Sequence, residues 1–254
     1  MTRGFETMTI QRAEAMIMRI WEIGESDLLV RFFTPNQGCL KGIAKAARRS
    51  RKRFANCLDL LSRVTMEYET RRASELSFLK GCKLIRGYAG IRSDYDRLSM
   101  ASYLVELTDT LHPPGVVDPA AFDLLTARFE DLDQGKDPAT VRIFFEGKAM
   151  ALGGYGINLS RCCKCGRGYT GAGRAVFVPD RGGIACLRCE KESPRTPGLS
   201  PEGVKALHAI QTAPVHRQNT LPIGAPLLQE IKPVLKRHVA YRLGKTFKTT
   251  AFLA

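Results

Sequence analysis

Arg12–Ile23 reads RAEAMIMRIWEI and Leu28–Thr34 reads LLVRFFT, with Gly24-Glu25-Ser26-Asp27 between them. Both runs are rich in β-branched, aromatic and long apolar side chains. The four intervening residues carry turn chemistry, so the pair predicts a β-hairpin. Ala13, Ala15, Ile17 and Arg19 fall on one side of the first strand's alternation. A second turn, Pro35-Asn36-Gln37-Gly38, leads into a short strand over 38–44. Leu60–Glu69 (LLSRVTMEYE) and Leu76–Ile85 (LSFLKGCKLI) add two more strands around a turn at Thr70–Ala73. Five short strands with charged loops in about 80 residues suit a small closed barrel. The five-stranded OB-fold leads, and an SH3-like barrel stays open.

Beyond Ser93 the apolar period lengthens. Leu98, Ala101, Leu104, Val105, Thr108 and Leu111 follow helical spacing until Pro113-Pro114-Gly115. Asp118-Pro119, Asp137-Pro138 and Ser200-Pro201 each place a capping side chain before a proline at the first helical position, opening three further helices. A last helix runs from about Pro226 to Leu243. Gly244 stops it, and Pro233 is expected to kink it or delay its start. The expected class is α+β: an N-terminal five-stranded OB-fold barrel (1–84), a helical domain (85–158 and 194–254) and an inserted four-cysteine zinc finger (159–193).

The finger rests on Cys162-x-x-Cys165 and Cys186-x-x-Cys189. Two such knuckles bring four thiolates into a tetrahedron, the closed set of a structural zinc ion. Arg174–Val178 and Gly183–Ala185 supply a small hairpin between them. Four thiolates leave no position open for water, so the metal is expected to be structural, not catalytic. Cys163 is placed outside the ligand set. Cys39, Cys57 and Cys82 read as reduced, buried or half-buried thiols.

The chain of 254 residues carries a net charge of +14. Residues 1–83 hold 16 basic and 9 acidic groups, whereas 84–158 hold 7 and 11. The excess concentrates at Lys41–Arg53 (KGIAKAARRSRKR), where Lys41, Lys45, Arg48, Arg49, Arg51, Lys52 and Arg53 occur without an acid. Such a block resists burial and repels itself unless a polyanion is near. With Arg71 and Arg72 it forms the candidate nucleic-acid surface. Trp21, Phe32, Phe33, Phe54 and Tyr68 are the candidate platforms for stacking unpaired bases. A second basic stretch follows Glu230: Lys232, Lys236, Arg237, Arg242, Lys245 and Lys248 interleave with Leu235, Val239, Leu243 and Phe247. Its seam (Leu235, Lys236, Val239, Arg242, Leu243, Phe247) is a candidate site for an acidic peptide with apolar end residues. No apolar run reaches the roughly 18–20 residues of a membrane span. The start, MTRGFETMTI, lacks the apolar stretch of a secretory signal, so a cytoplasmic protein is expected.

No phosphate-binding loop, nucleophile elbow or deaminase signature is found in the sequence, and the chain is not expected to be an enzyme. A magnesium-dependent nuclease would have to use Asp94 and Asp96 or the Glu130-Asp131-Asp133 group.

Taken in order, these features resemble the bacterial RecO family of recombination mediators. The likeness is carried by Gly24–Asp27, Leu29-Val30, Phe33-Thr34, Gly38, Lys41-Gly42 and Ala44–Arg49. Tyr103, Glu106 and Leu107 continue it, followed by the four cysteines and the ending Tyr241-x-Leu243-Gly244, Lys248 and Phe252-Leu253. Ala46 departs from the family's usual glycine, and Thr250 and Ala251 from its common arginines. The resemblance implies binding of single- and double-stranded DNA, strand annealing and association with the nucleoid. It also implies partnership with RecR, contact with the acidic tail of single-strand-binding protein, and help in loading RecA. A zinc-ribbon RNA-binding factor is the alternative; DNA and RNA of one sequence would separate the two, since 2′-hydroxyl contacts favour RNA.

Overall fold

The computed structural model describes residues 10–70 and 76–253. Strands β1 (Ile10–Ile23), β2 (Asp27–Thr34), β3 (Gly38–Ala44), β4 (Arg63–Glu69) and β5 (Leu76–Arg86) close a barrel in the order β1-β2-β3-β5-β4. β1 is long enough to serve two partners. Its Ile10–Met16 half pairs with β4 and its Met16–Ile23 half with β2. Closure comes from a short parallel pairing of Lys41–Ile43 with Leu76–Phe78. This is the OB-fold expected from the strand spacing. The turn proposed at Thr70–Ala73 falls, after Thr70, outside the described residues.

Ala15 and Ile17 point into the barrel with Val30, Phe32, Val64, Met66 and Tyr68, and Ala13 packs against them. Arg19 does not follow. The β1–β2 register shifts between Ile17 and Arg19, and the extra residue of such a bulge reverses every later side chain. Ile20 therefore packs on the barrel interior, while Arg19 turns out toward Asp109. Part of the barrel's outer wall is buried as well. Met16, Met18, Phe33 and Cys39 join the core of the helices.

The helices are α1 (Ala89–Arg92), α2 (Tyr95–Leu111), α3 (Pro119–Asp133) and α4 (Pro138–Leu152), then α5 (Pro201–Thr212), α6 (Val215–Gln218) and α7 (Ala225–Leu243). The expected caps are made: Asp118, Asp137 and Ser200 accept from the backbone N–H groups of Ala121, Thr140 and Gly203, and Asp94 caps α2 in the same way through the N–H of Arg97. α7 continues through Pro233 without starting there; the Gln229 carbonyl that loses its donor lies on an exposed residue, where water can serve it. Between α4 and α5 lies a three-stranded sheet of β6 (Ala175–Val178), β7 (Gly183–Cys186) and β8 (Gly198–Leu199). Its inner face, with Ala175, Phe177, Ile184 and Leu199, is continuous with Ile143, Leu207, Ile231 and Leu235. No helix among the described residues is long and apolar enough to cross a membrane.

Candidate nucleic-acid interface and metal centre

The basic stretch leaves β3 and is held at both ends. At its start the N–H of Ala46 donates to Asp27 Oδ1 at 2.8 Å, and the Lys45 ammonium to Oδ2 at 2.6 Å. These two contacts, the backbone one first, hold the Asp27 carboxyl below its ordinary range. Ala46 takes φ 53°, ψ 31°, a left-handed conformation that glycine adopts freely and alanine does not. Glycine at position 46 would carry no such cost. A single 3₁₀ turn, Ala47–Arg49, follows. Ser50 Oγ then accepts from the N–H groups of Arg53 and Phe54, and Phe54 enters the barrel interior.

At its far end the stretch is tied to β5. Cys57 and Cys82 form a disulfide, and the Cys82 N–H donates to the Arg53 carbonyl at 2.9 Å. This corrects the expectation of reduced thiols at both positions. They stand 25 positions apart in the chain, and only barrel closure brings them together. Cys39 is the buried free thiol expected, its pKa pushed up to about 12 by burial.

The cations divide into two sets. Lys45 pairs with Asp27, Arg48 with Glu22 at 3.0 Å, and Arg49 with Glu25 at 3.4 Å. The acids come from the end of β1, the β1–β2 turn and the first residue of β2. Lys41, Arg51, Lys52 and Arg53 are exposed, with no acidic partner among the described residues. Arg53 donates to the Lys45 carbonyl at 2.8 Å and lies over the Phe54 ring. Arg71 and Arg72 lie outside the described residues. Of the stacking candidates, Phe32, Phe33, Phe54 and Tyr68 are core, and Trp21 is exposed.

The C-terminal seam needs a correction. Leu235, Val239 and Phe247 are 1%, 4% and 4% exposed, and Phe247 packs edge-on against Tyr103. An apolar stripe beside a helical core is buried by that core before any peptide can reach it. Lys236 is exposed, and Arg242 and Leu243 are half-buried; these are what the surface keeps of the seam.

The sulfurs of Cys162, Cys165, Cys186 and Cys189 all lie within 4.8 Å of one another, and those of Cys165 and Cys186 are 4.0 Å apart. A tetrahedron with metal–sulfur bonds of 2.3 Å has edges of about 3.8 Å, so the four can hold a metal ion. The N–H groups of Cys165 and Cys186 point at Cys162 Sγ at 3.5 and 3.4 Å. Burial opposes the Cys162 thiolate, but these donors outweigh it and bring its pKa to about 6. Cys163 stays outside the cluster and packs toward Gly183. The dense acids are otherwise engaged: Asp94 caps α2, Asp131 faces Arg128 and Lys136, and Glu130 and Asp133 hold Arg86.

A family model described as "Recombination protein O N terminal" matches residues 8–88, and one described as "Recombination protein O C terminal" matches residues 92–251. The chain is 32% identical over 247 residues to the DNA repair protein RecO of Geobacter metallireducens, covering 97% of this chain and 98% of that one. It is 30% identical to that of Syntrophotalea carbinolica over 95% of this chain and 93% of the relative. The RecO of Syntrophobacter fumaroxidans is 36% identical over 70% of this chain and 71% of its own. Both family models match in order along a barrel, helices and a four-cysteine cluster, and the chain belongs to the Recombination protein O family of DNA repair proteins.

Proposed function

We propose that the protein is a recombination mediator without an enzymatic step. It binds single- and double-stranded DNA, anneals complementary strands and helps load RecA onto strands coated with single-strand-binding protein, at the nucleoid in the cytoplasm. The observation that carries this reading is the loop pinned between Asp27 and Cys82, which holds Arg51, Lys52 and Arg53 toward solvent, each without an acidic partner among the described residues. Its anchored backbone fixes where these exposed cations stand. Cations so placed neutralise phosphates and release counterions whatever the base sequence. Two strands screened this way repel less, and base pairing then completes annealing.

The metal in this reading is zinc, held by Cys162, Cys165, Cys186 and Cys189 as four thiolates. Its part is structural: the hairpin it closes packs into the core of α5 and α7. RecR and the acidic tail of single-strand-binding protein are the proposed protein partners. The part of α7 that reaches the surface, exposed Lys236 with half-buried Arg242 and Leu243, is the surface proposed for that tail.

The test is replacement of Arg48, Arg49, Arg51 and Arg53 by alanine, with affinity for a single-stranded oligonucleotide measured against salt. Loss of four contacts lowers the slope of log affinity against log salt by about 3. An unchanged affinity and slope would remove the loop from the interface.

A further inference from the structure

A loop of cations reads phosphate and cannot tell a paired strand from an unpaired one. A second feature of the barrel supplies that distinction, provided that the protein binds DNA as proposed. Trp21 is 40% exposed and Leu60 44%. They border a cleft of about 320 Å³ between the barrel's outer wall and the C-terminal segment, floored by Met18, Leu61 and Val105. Among the five aromatic residues proposed to stack on bases, only this one keeps a face in solvent.

The charge around the cleft favours an anion. Arg19 and Lys248 line it. Arg19 reaches Asp109 only at 3.9 Å, and that carboxylate is already held by Arg31. The Lys248 ammonium has no acidic partner among the described residues. One acid faces the cleft, Glu106, and it is used up: it accepts from the N–H groups of Lys248 and Thr249 and from the Thr249 hydroxyl at 3.1, 3.0 and 2.7 Å.

We infer that this cleft takes a base of an unpaired DNA strand, stacked on the indole of Trp21, with the flanking phosphates on Arg19 and Lys248. A flat ring beside apolar walls accepts any base face without reading its edges. A base inside a duplex is already stacked on its neighbours and cannot enter without being extruded. The barrel thereby prefers single strands, while the basic loop holds either form.

The chain contains one tryptophan, so its fluorescence reports this cleft alone. The full-length protein is titrated with a labelled oligothymidylate and with an abasic deoxyribose-phosphate oligomer of equal length, and anisotropy and tryptophan emission are followed together. Both oligomers raise anisotropy, and only the thymidylate quenches emission. Trp21→Ala weakens thymidylate binding about fivefold or more and leaves the abasic affinity unchanged, whereas Trp21→Phe keeps most of the affinity. Equal thermal melting of the variants and the parent shows that the fold is intact. Saturating anisotropy with unchanged emission, equal quenching by the abasic oligomer, or an unaffected Trp21→Ala variant each overturns the inference while leaving the loop's role standing. Quenching by an acidic peptide with apolar end residues at lower concentration than by the thymidylate assigns the cleft to a protein partner and also overturns it. No anisotropy change with either oligomer overturns the DNA-binding reading itself, and the cleft's assignment with it.

Discussion

The carboxylate of Glu22 on β1 lies 3.0 Å from the guanidinium of Arg48 in the basic loop. A stretch with no acid of its own thus receives acids from the β1–β2 hairpin: Glu22, Glu25 and Asp27. Glu22 and Glu25 are well exposed, so their pairs are weak and exchangeable. They lower the charge that DNA meets without closing the surface. Replacing both with glutamine is expected to tighten oligonucleotide binding about two- to fivefold at low salt, and the gain should vanish as salt screens the pairs. Anisotropy titrations at two ionic strengths check this; an unchanged affinity at low salt would place Arg48 and Arg49 off the interface.

Ala46 occupies the left-handed region at φ 53°, which costs an L-residue with a Cβ about 1–2 kcal/mol. Ala46→Gly removes that cost and is expected to stabilise the protein by about 1 kcal/mol. The corresponding rise in Tm is about 2–4 °C. DNA affinity should hold, since the loop's anchors at Asp27 and Cys82 remain. A fall in Tm would show that the loop adopts another conformation in solution.

The Cys57–Cys82 disulfide spans 25 positions and ties the chain just past the basic loop to β5. Removing a crosslink of that span costs about 3 kcal/mol. The double variant Cys57→Ala, Cys82→Ala is therefore expected to melt earlier and to bind DNA less tightly, because the far end of the loop comes free. Thiol titration of the denatured, metal-stripped protein should find six reactive groups before reduction and two more after it. Eight before reduction would mean that the pair is open in solution.

Metal removal should reach beyond the ribbon. Phe177 and Ile184 share a core with Leu207, Ile231 and Leu235, so loosening the cysteine knuckles exposes apolar surface of α5 and α7. A chelator strong enough to strip the site is expected to lower Tm and reduce helical ellipticity, with Cys162→Ser reproducing both. Elemental analysis should find one zinc per chain beforehand. A melt unaffected by complete metal loss would show that apolar packing holds the hairpin alone.

Burial lowers the pKa of His238 below its ordinary value. A backbone contact from Nε2 to the Tyr155 carbonyl opposes the shift, and nearby Arg242 adds to it. The unfolded histidine binds the proton more readily than the folded one, so by linkage stability is complete above about pH 6.5. It declines as pH falls from there toward the folded value. His238→Asn should flatten that decline in Tm measured between about pH 5 and 7.5. An identical slope in the variant would assign the pH dependence to other groups.

Short-range pattern carried much of the architecture. Alternation and turn residues placed β1 to β5, aspartate–proline and serine–proline caps placed α3 to α5, and two C-x-x-C knuckles placed the cysteine cluster. Each of these signals lies within a few residues of the element it specifies, so the chain determines it by itself. The tertiary structure decided the rest. The bulge before Arg19 turned that side chain outward; barrel closure joined Cys57 to Cys82 and brought Glu22 to Arg48. Packing hid Leu235, Val239 and Phe247 while leaving Trp21 in solvent. These outcomes depend on contacts between residues far apart in the chain, and no periodicity records which apolar side chain will find a neighbour or which cation an acid.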